Sequence, residues 1–250
     1  ARLLEASRAA VAPLAEAVVG IAPHSLRAVT EGELAELLRI APTGPVHIHI
    51  AEQLREVEAS IAFSGQRPVE WLLDHLPVDR RWCLVHATHV TPAELRGIAA
   101  SGAVAGLCPI TEANLGDGIF PAADFQALGG RFGIGSDSNV RIDASEELRL
   151  LEYSQRLSMR RRNLLAPHGE SVGGTLFRAA LAGGTQALGA PCPAIAPGAA
   201  ADLLCLSADR LPASSDAILD RWIFARGAGA IDSLWRGGKR LVHEGRHRSE

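Results

Sequence analysis

Short apolar segments alternate with longer amphipathic segments along most of this chain. Five segments are short and apolar, as buried strands are, and helical spacing follows each of them. The predicted strands span residues 17–23, 46–52, 82–87, 103–108 and 131–136. The predicted helices span or begin at residues 2–15, 31, 54–63, 71–75, 91, 145–161 and 172–188. This alternation predicts an α/β fold with a parallel sheet, either open and doubly wound or closed into a (β/α)8 barrel.

Side chains that cap helices mark two of the predicted helix starts. Thr30 is followed three residues later by Glu33, and Thr91 by Glu94. This spacing is typical of a capping box, in which the two side chains bond to each other's backbone N–H groups. Residues 109–121, between the fourth and fifth predicted strands, are predicted to form a long polar loop.

The composition changes after residue 190. Proline and glycine between residues 191 and 198 interrupt regular structure, and residues 201–206 then have the pattern of a strand. Residues 233–243 predict a hairpin that turns at Gly237 and Gly238. We therefore predict a domain at residues 1–190 and a portion of a small β domain at residues 191–250.

Composition and charge exclude several classes of partner. The chain has 250 residues, of which 47% are hydrophobic and 21% charged, so it can bury a substantial core. Its formal net charge is -3, which gives no basic field for nucleic acid. No run of about 18 apolar residues is present for a membrane span, and the first residues lack the apolar core of a signal peptide. We therefore expect a cytoplasmic protein that binds neither membranes nor nucleic acid.

Two common kinds of site are also not predicted. The four cysteines are widely separated and form no C-x-x-C pair, so neither a disulfide framework nor a zinc finger is indicated. The first strand-to-helix turn has neither G-x-G-x-x-G nor a Walker Gly-Lys-Ser/Thr sequence, so a usual phosphate-binding loop is not predicted either.

Polar side chains gather where the predicted strands end. Because the carboxyl ends of parallel strands meet at one rim, these side chains are expected to lie near one another. Imidazole binds divalent metal ions and a nearby carboxylate can move protons, as a metal-dependent hydrolase requires. In chain order, these rim residues are His24, Arg27, His49, Glu52, His86, Glu112 and Asp137.

Three of these segments resemble the amidohydrolase superfamily of metal-dependent deaminases. They are His49-Ile-Ala-Glu52, Leu84-Val-His86 and Gly135-Ser-Asp137. Residues 195–204 resemble the return of the chain to that superfamily's small β domain. Residues 24–27, 47–53 and 108–118 most resemble the enzymes that hydrolyse N-formimino-L-glutamate in histidine breakdown. The resemblance implies a (β/α)8 barrel of which this chain holds the last five βα units.

The resemblance also implies roles for the rim residues. His49 and Asp137 would hold one zinc ion, and Asp137 would accept a proton from the attacking water. His86 would stabilise the charge that develops at the attacked carbon, and Glu52 would protonate the leaving nitrogen. The glutamate part of the substrate would be bound by His24, Arg27 and Glu112.

One feature departs from that family. Its barrels begin with a strand that ends in His-x-His and supplies two more metal ligands, and no such strand precedes residue 16. We therefore expect these 250 residues to be inactive until the first three strands are supplied, and we expect the complete enzyme to be a homodimer. His47 is expected to be structural. The alternatives are a deaminase for guanine or another aminated ring, and an inactive barrel fragment.

Overall fold

Four parallel strands form the central sheet. The structure is a computed structural model that describes residues 2–14, 16–191, 194–207 and 215–249. The strands pair in chain order and all run parallel. They are β1 Val46–Ile50, β2 Trp82–His86, β3 Val104–Leu107 and β4 Arg131–Ile134. The predicted parallel α/β fold is confirmed, and each of these strands lies within a predicted one.

Helices follow the strands and cover the sheet. Thr30 and Thr91 each form the predicted capping box with a glutamate three residues later. The helices are α1 Arg2–Val11, α2 Glu31–Ile40, α3 Leu54–Ser64, α4 Pro68–His75, α5 Pro92–Ser101, α6 Pro109–Leu115, α7 Ala122–Ala127, α8 Ala144–Met159 and α9 Val172–Ala187.

The strand predicted at residues 17–23 does not form as a regular strand. The segment runs parallel to β1, but it pairs only through isolated bridges at Ile21 and Ser25. Pro23 lies between these bridges and has no backbone N–H, so a continuous ladder cannot form there. The segment still places its polar residues beside β1, where a fifth strand was expected.

The long loop predicted at residues 109–121 is also wrong in part, because its first half is helix α6. Pro109 occupies the first turn, where a missing N–H costs nothing. Gly116 ends the helix with a left-handed φ of 72°. The last residues before α7 remain a loop, so a short helix carries Glu112.

The alternation of side chains along β1 separates the core from the rim. Val46, Ile48 and Ile50 are at most 1% exposed and belong to the main hydrophobic core. His47 and His49 point to the other face, as the period of two requires. His47 donates from Nε2 to the carbonyl of Ala187 at 2.8 Å, which gives this ring a structural partner.

A second, antiparallel sheet comes after α9 in the chain. Its strands β5 Leu203–Leu206, β6 Ile231–Arg236, β7 Lys239–His243 and β8 Arg246–His247 pair antiparallel in that order. The hairpin predicted at Gly237 and Gly238 joins β6 to β7, as expected. Before β6, α10 Ala217–Arg221 continues into a π-helical segment and a 3-10 turn.

The predicted joint between the two domains is described only in part. The predicted joint at residues 191–198 includes residues 192 and 193, which lie outside the described ranges. Within those ranges, no helix is both long and apolar enough to cross a bilayer.

Helix α9 and strand β4 approach so closely that only glycine fits between them. A Cβ atom on Gly183 would overlap the carbonyl oxygen of Phe132, whereas one on Gly184 would meet nothing within 4 Å. We expect Gly183→Ala to lower the free energy of unfolding by about 1–3 kcal/mol, because backbone must move. The matched control Gly184→Ala should be neutral or stabilising by up to about 1 kcal/mol, as is usual within helices.

Urea unfolding of both variants measures this difference. Equal stability of the two variants would contradict the close contact between α9 and β4.

Candidate active site

The buried ring of His86 lies at the centre of the polar residues on the rim. Its side chain is 0% exposed, and its Nδ1 atom lies 3.3 Å from Glu112 Oε1. Its Nε2 atom lies 3.8 Å from Glu52 Oε1 and 3.8 Å from Asp137 Oδ2. Nε2 has no hydrogen-bond partner among the described residues, although it is fully buried. One nitrogen is therefore fixed by a carboxylate, while the other faces the space between two more carboxylates.

These carboxylates control the charge of His86. Burial alone lowers the pKa of the imidazole, since the charged form loses hydration. The hydrogen bond and the negative charge of Glu112, together with the charges of Glu52 and Asp137, outweigh burial and raise the pKa above its ordinary value. The three carboxylates thus stabilise the protonated form of His86 against the effect of burial.

His49 lies beside His86 and is oriented by backbone. Its Nδ1 atom donates to the carbonyl oxygen of His24 at 2.9 Å, which leaves the Nε2 lone pair free to bind a ligand. The His49 ring is stacked on His24 with centroids 5.0 Å apart, and its centroid lies 5.7 Å from that of His86. His49 and Asp137 therefore both lie beside His86 at one end of the sheet.

The backbone at this rim adopts a conformation that side chains usually avoid. Ala51, His86, Ala87 and Asp137 all have φ between 50° and 68°, although none is glycine. Such left-handed residues are uncommon and store strain, and they collect at functional sites. Two of the four are the residues that point their side chains into the cluster, so the strain serves to aim them.

Two buried glutamates accept hydrogen bonds from backbone N–H groups at the start of helix α6. Glu112 is 5% exposed, and its Oε1 atom also accepts from the backbone N–H of Cys108 at 2.9 Å. Glu147 on α8 is 1% exposed, and its Oε2 atom accepts from the N–H of Ile110 at 2.9 Å. Burial raises the pKa of Glu147 to about 7, because the Ile110 N–H bond compensates only in part and Glu112, Asp143 and Glu146 add negative charge.

This pKa predicts how stability depends on pH. Glu147 keeps its proton in the folded protein until about pH 7, whereas the unfolded chain loses it near 4.5. The folded state therefore binds more protons between these values, and Glu147 contributes a stability that is lost as pH rises through about 7. Glu147→Gln cannot ionise, so we expect its stability relative to the native protein to rise over this window by about 3 kcal/mol.

Urea unfolding at pH 5 and pH 8 checks this expectation. Glu58→Gln, an exposed change on α3, serves as the control for loss of a carboxylate. A difference between Glu147→Gln and native protein that is the same at both pH values would contradict it.

Two buried glutamates of this region were not identified from the sequence. Glu147 and Glu56 both lie near the start of a helix, where acidic residues are common without any special role. Glu56 is 3% exposed, and its carboxylate accepts from the N–H groups of Ala51 at 3.0 Å and Glu52 at 2.9 Å. It therefore fixes the backbone that carries Glu52.

Arg27 lines a cavity that the central residues of the cluster do not line. It is exposed and lines a cavity of about 720 Å³ together with Glu56, Phe63 and Trp71. Neither His86 nor Asp137 lines this cavity. The structure thus brings together His24, His49, Glu52, His86, Glu112 and Asp137, while Arg27 opens onto an adjoining space.

The donors present suit a divalent ion but do not complete its site. His49 Nε2 and the carboxylate of Asp137 are the kind of nitrogen and oxygen ligands that zinc binds. Across the described ranges, no group of three or more His, Cys, Asp and Glu side chains is arranged to hold a metal. Two donors are fewer than the three protein ligands of a typical catalytic zinc site.

Comparison with known proteins gives a consistent picture. The Amidohydrolase family model matches residues 2–241. Formimidoylglutamate deiminase of Pseudomonas aeruginosa is 53% identical over 237 residues, which are 93% of this chain and 52% of that protein. A 5-methylthioadenosine/S-adenosylhomocysteine deaminase of Halobacterium salinarum is 32% identical over 75% of this chain and 43% of that protein. The chain therefore spans about half the length of the curated relatives it matches.

Solved structures share the fold over nearly the whole chain. An amidohydrolase from Brucella melitensis superposes with a TM-score of 0.95 and 54% identity, over 99% of this chain and 55% of that one. An adenosine deaminase from Xanthomonas campestris with bound zinc has a TM-score of 0.82 and 28% identity, over 92% of this chain and 53% of that one. Because the family match runs through every strand that carries the His86 cluster, the chain belongs to the amidohydrolase family.

Proposed function

We propose that this chain provides part of the active site of a metal-dependent hydrolase that converts N-formimino-L-glutamate and water to N-formyl-L-glutamate and ammonia. The observation that carries the proposal is the convergence of Glu52, His86 and Asp137, with 3.8 Å from His86 Nε2 to each carboxylate. The 53% identity to a formimidoylglutamate deiminase supports this choice of substrate. Zinc bound in a related structure supports the choice of metal.

The proposed metal ligands from this chain are His49 Nε2 and the Asp137 carboxylate, and a catalytic zinc site requires at least one further protein ligand. When bound, a divalent ion such as zinc supplies Lewis acidity, which makes water a better nucleophile at neutral pH.

The carboxylates and imidazole then divide the proton transfers. Asp137 accepts a proton from the water that attacks the formimino carbon. His86, held by Glu112 through Nδ1, presents Nε2 to the place where negative charge develops. Both protons that the water oxygen gives up, one on attack and one as the carbonyl forms, must reach the imino nitrogen. Glu52 delivers them to that nitrogen, so that neutral ammonia departs instead of a strongly basic amide anion. The carbon–nitrogen double bond is thereby replaced by a carbonyl.

We assign binding of the glutamate part of the substrate to cationic and polar side chains of this chain. Arg27 has no ion-pair or hydrogen-bond partner in the part of the chain that the structure describes, and a guanidinium binds both oxygens of a carboxylate. His24, three residues before Arg27, is stacked on His49 and is the second group assigned to the carboxylate of the amino-acid part. A purine ring would instead require stacking or amide partners, and the described rim residues are mostly charged.

Ammonia release from three substrates tests the proposal. The zinc-loaded protein, completed with the barrel strands that supply the remaining metal ligands, is given N-formimino-L-glutamate, S-adenosylhomocysteine or 8-oxoguanine, since deaminases of such purines are more distant relatives. We expect kcat/KM for N-formimino-L-glutamate to exceed the others by at least roughly 100-fold. A preference for either purine would overturn the assignment of substrate.

Arg27→Met provides a second prediction about the same site. It keeps the length and removes the charge, so we expect KM for N-formimino-L-glutamate to rise by about 10- to 100-fold with a small change in kcat. Arg55→Met, an exposed change on α3, is the control. Steady-state kinetics over a range of substrate concentrations distinguishes the two constants, and an unchanged KM would remove Arg27 from the substrate site.

A further inference from the structure

Helix α6 is fastened on two sides to the segment that carries Asp137. The hydroxyl of Thr111 donates to the carbonyl of Ser136 at 3.2 Å, directly before Asp137. The N–H of Ile110 donates to Glu147 Oε2 at 2.9 Å, and Glu147 lies on the helix that follows Asp137. The position of α6 is therefore defined relative to β4 and α8.

The same turn of α6 holds the carboxylate that contacts His86. Glu112 Oε1 accepts from Cys108 N–H at 2.9 Å and lies 3.3 Å from His86 Nδ1. Ile110 lies between Cys108 and Glu112 in the chain. A displacement of this turn would therefore change the distance between Glu112 and His86 directly.

The buried position of Glu147 costs free energy. Its Oε1 atom is buried and has no hydrogen-bond partner among the described residues, so ordinary packing does not account for a carboxyl group there. Glu152, on the same helix, shows what a purely structural buried glutamate does. Its two oxygens accept from Arg156 and from the N–H groups of Leu164 and Leu165, and they touch nothing on α6.

We propose that Glu147 is a positioning residue that holds the first turn of α6, and so keeps Glu112 at the distance from His86 that the reaction requires. It contacts neither His86 nor the site of the reacting atoms. It acts through one backbone bond, that from Ile110. Its raised pKa agrees with this assignment, since a neutral carboxyl can accept from Ile110 without repelling Glu112.

The test compares Glu147→Gln, Glu147→Leu and Glu147→Asp with Glu152→Gln as the matched control. Glutamine keeps an uncharged side-chain oxygen that can accept from the Ile110 N–H. Leucine has no such oxygen, and the aspartate side chain is one methylene too short to place its oxygen there. Amide hydrogen exchange at Cys108 to Glu112 reports on α6 without any reference to activity. Steady-state kinetics with the zinc-loaded protein reports on the reaction, and this second part rests on the proposed function.

We expect Glu147→Leu and Glu147→Asp to exchange the Ile110 and Cys108 amides at least roughly 10-fold faster than the native protein. Both should lower kcat by about 10- to 100-fold while KM changes less than about 3-fold, because the substrate is still bound. Glu147→Gln should restore both readouts to within about 3-fold. Glu152→Gln should lower thermal stability and leave kcat within about 3-fold.

Each other result overturns the proposal. If Glu147→Leu and Glu147→Asp keep the native kcat, or if Glu152→Gln lowers kcat equally, Glu147 has only a structural role. If leucine prevents folding, aspartate and glutamine still decide, since each retains a polar side chain. If the protein completed with the remaining barrel strands does not hydrolyse N-formimino-L-glutamate, the proposed function fails, whereas the exchange data still show whether Glu147 holds α6.

Discussion

Replacement of Asp137 by asparagine is expected to lower kcat by at least about 10³-fold. An amide cannot accept the proton of the attacking water, and it binds a divalent ion weakly. Asp137 faces His86 Nε2 at 3.8 Å, so the change falls at the centre of the cluster.

The fold should tolerate this replacement. Asp137 has φ of 53°, and asparagine adopts the left-handed conformation as readily as aspartate does. Its carbonyl oxygen can still accept from the N–H of Ser138, which donates to Asp137 Oδ1 at 2.7 Å. We therefore expect the free energy of unfolding to change by less than about 1 kcal/mol.

Three measurements on Asp137→Asn separate chemistry from folding: kcat, bound zinc by elemental analysis, and urea unfolding. Asp124→Asn, the same chemical change at an exposed position of α7, is the control. A variant that keeps a tenth of the native kcat and the full zinc content would exclude Asp137 from both proposed roles.

Replacement of Glu52 by glutamine is expected to lower kcat by about 10²- to 10⁴-fold with little change in KM. Glutamine matches the shape of glutamate but cannot carry a proton to the leaving nitrogen. The Glu52 side chain is 16% exposed and its Oε1 lies 3.8 Å from His86 Nε2, so it can reach both the cluster and solvent. Its backbone is held independently by Glu56, so its position should survive the change.

A substrate analogue makes this prediction specific for proton delivery. An analogue whose leaving group is less basic than ammonia needs less help from an acid, so Glu52→Gln should slow it much less. Glu58→Gln, an exposed change on α3, is the control and should retain native kinetics with both substrates. An equal loss with both substrates would show that Glu52 does not protonate the leaving nitrogen.

The strands and the rim could be predicted because buried positions are occupied by apolar residues in a regular pattern along the sequence. Val46, Ile48 and Ile50 alternate with histidines, so the period of two identified both the strand and the face that carries His49. The position of Asp137 after β4 followed from the same reasoning, since parallel strands end at one rim. The convergence of His49, His86 and Asp137 could therefore be expected before any coordinates were known.

What could not be predicted depends on single backbone groups. Pro23 removes one N–H and thereby breaks a strand whose apolar pattern is otherwise complete. Helix α6 has seven residues, too few for a helical period to be recognised. Glu56 and Glu147 resemble ordinary solvated glutamates in sequence, because nothing local reveals that backbone N–H groups of other segments bond to them.

The contact between Gly183 and Phe132 limits how this active site can evolve. Most helices meet a sheet through side chains, whose size can be exchanged to shift one layer against the other. Here α9 meets β4 backbone to backbone, and there is no side chain at Gly183 to enlarge or trim. The strand leading to Asp137 therefore cannot shift relative to α9. Adaptation to a new substrate should alter the loops beyond the strand ends and leave the position of Asp137 unchanged.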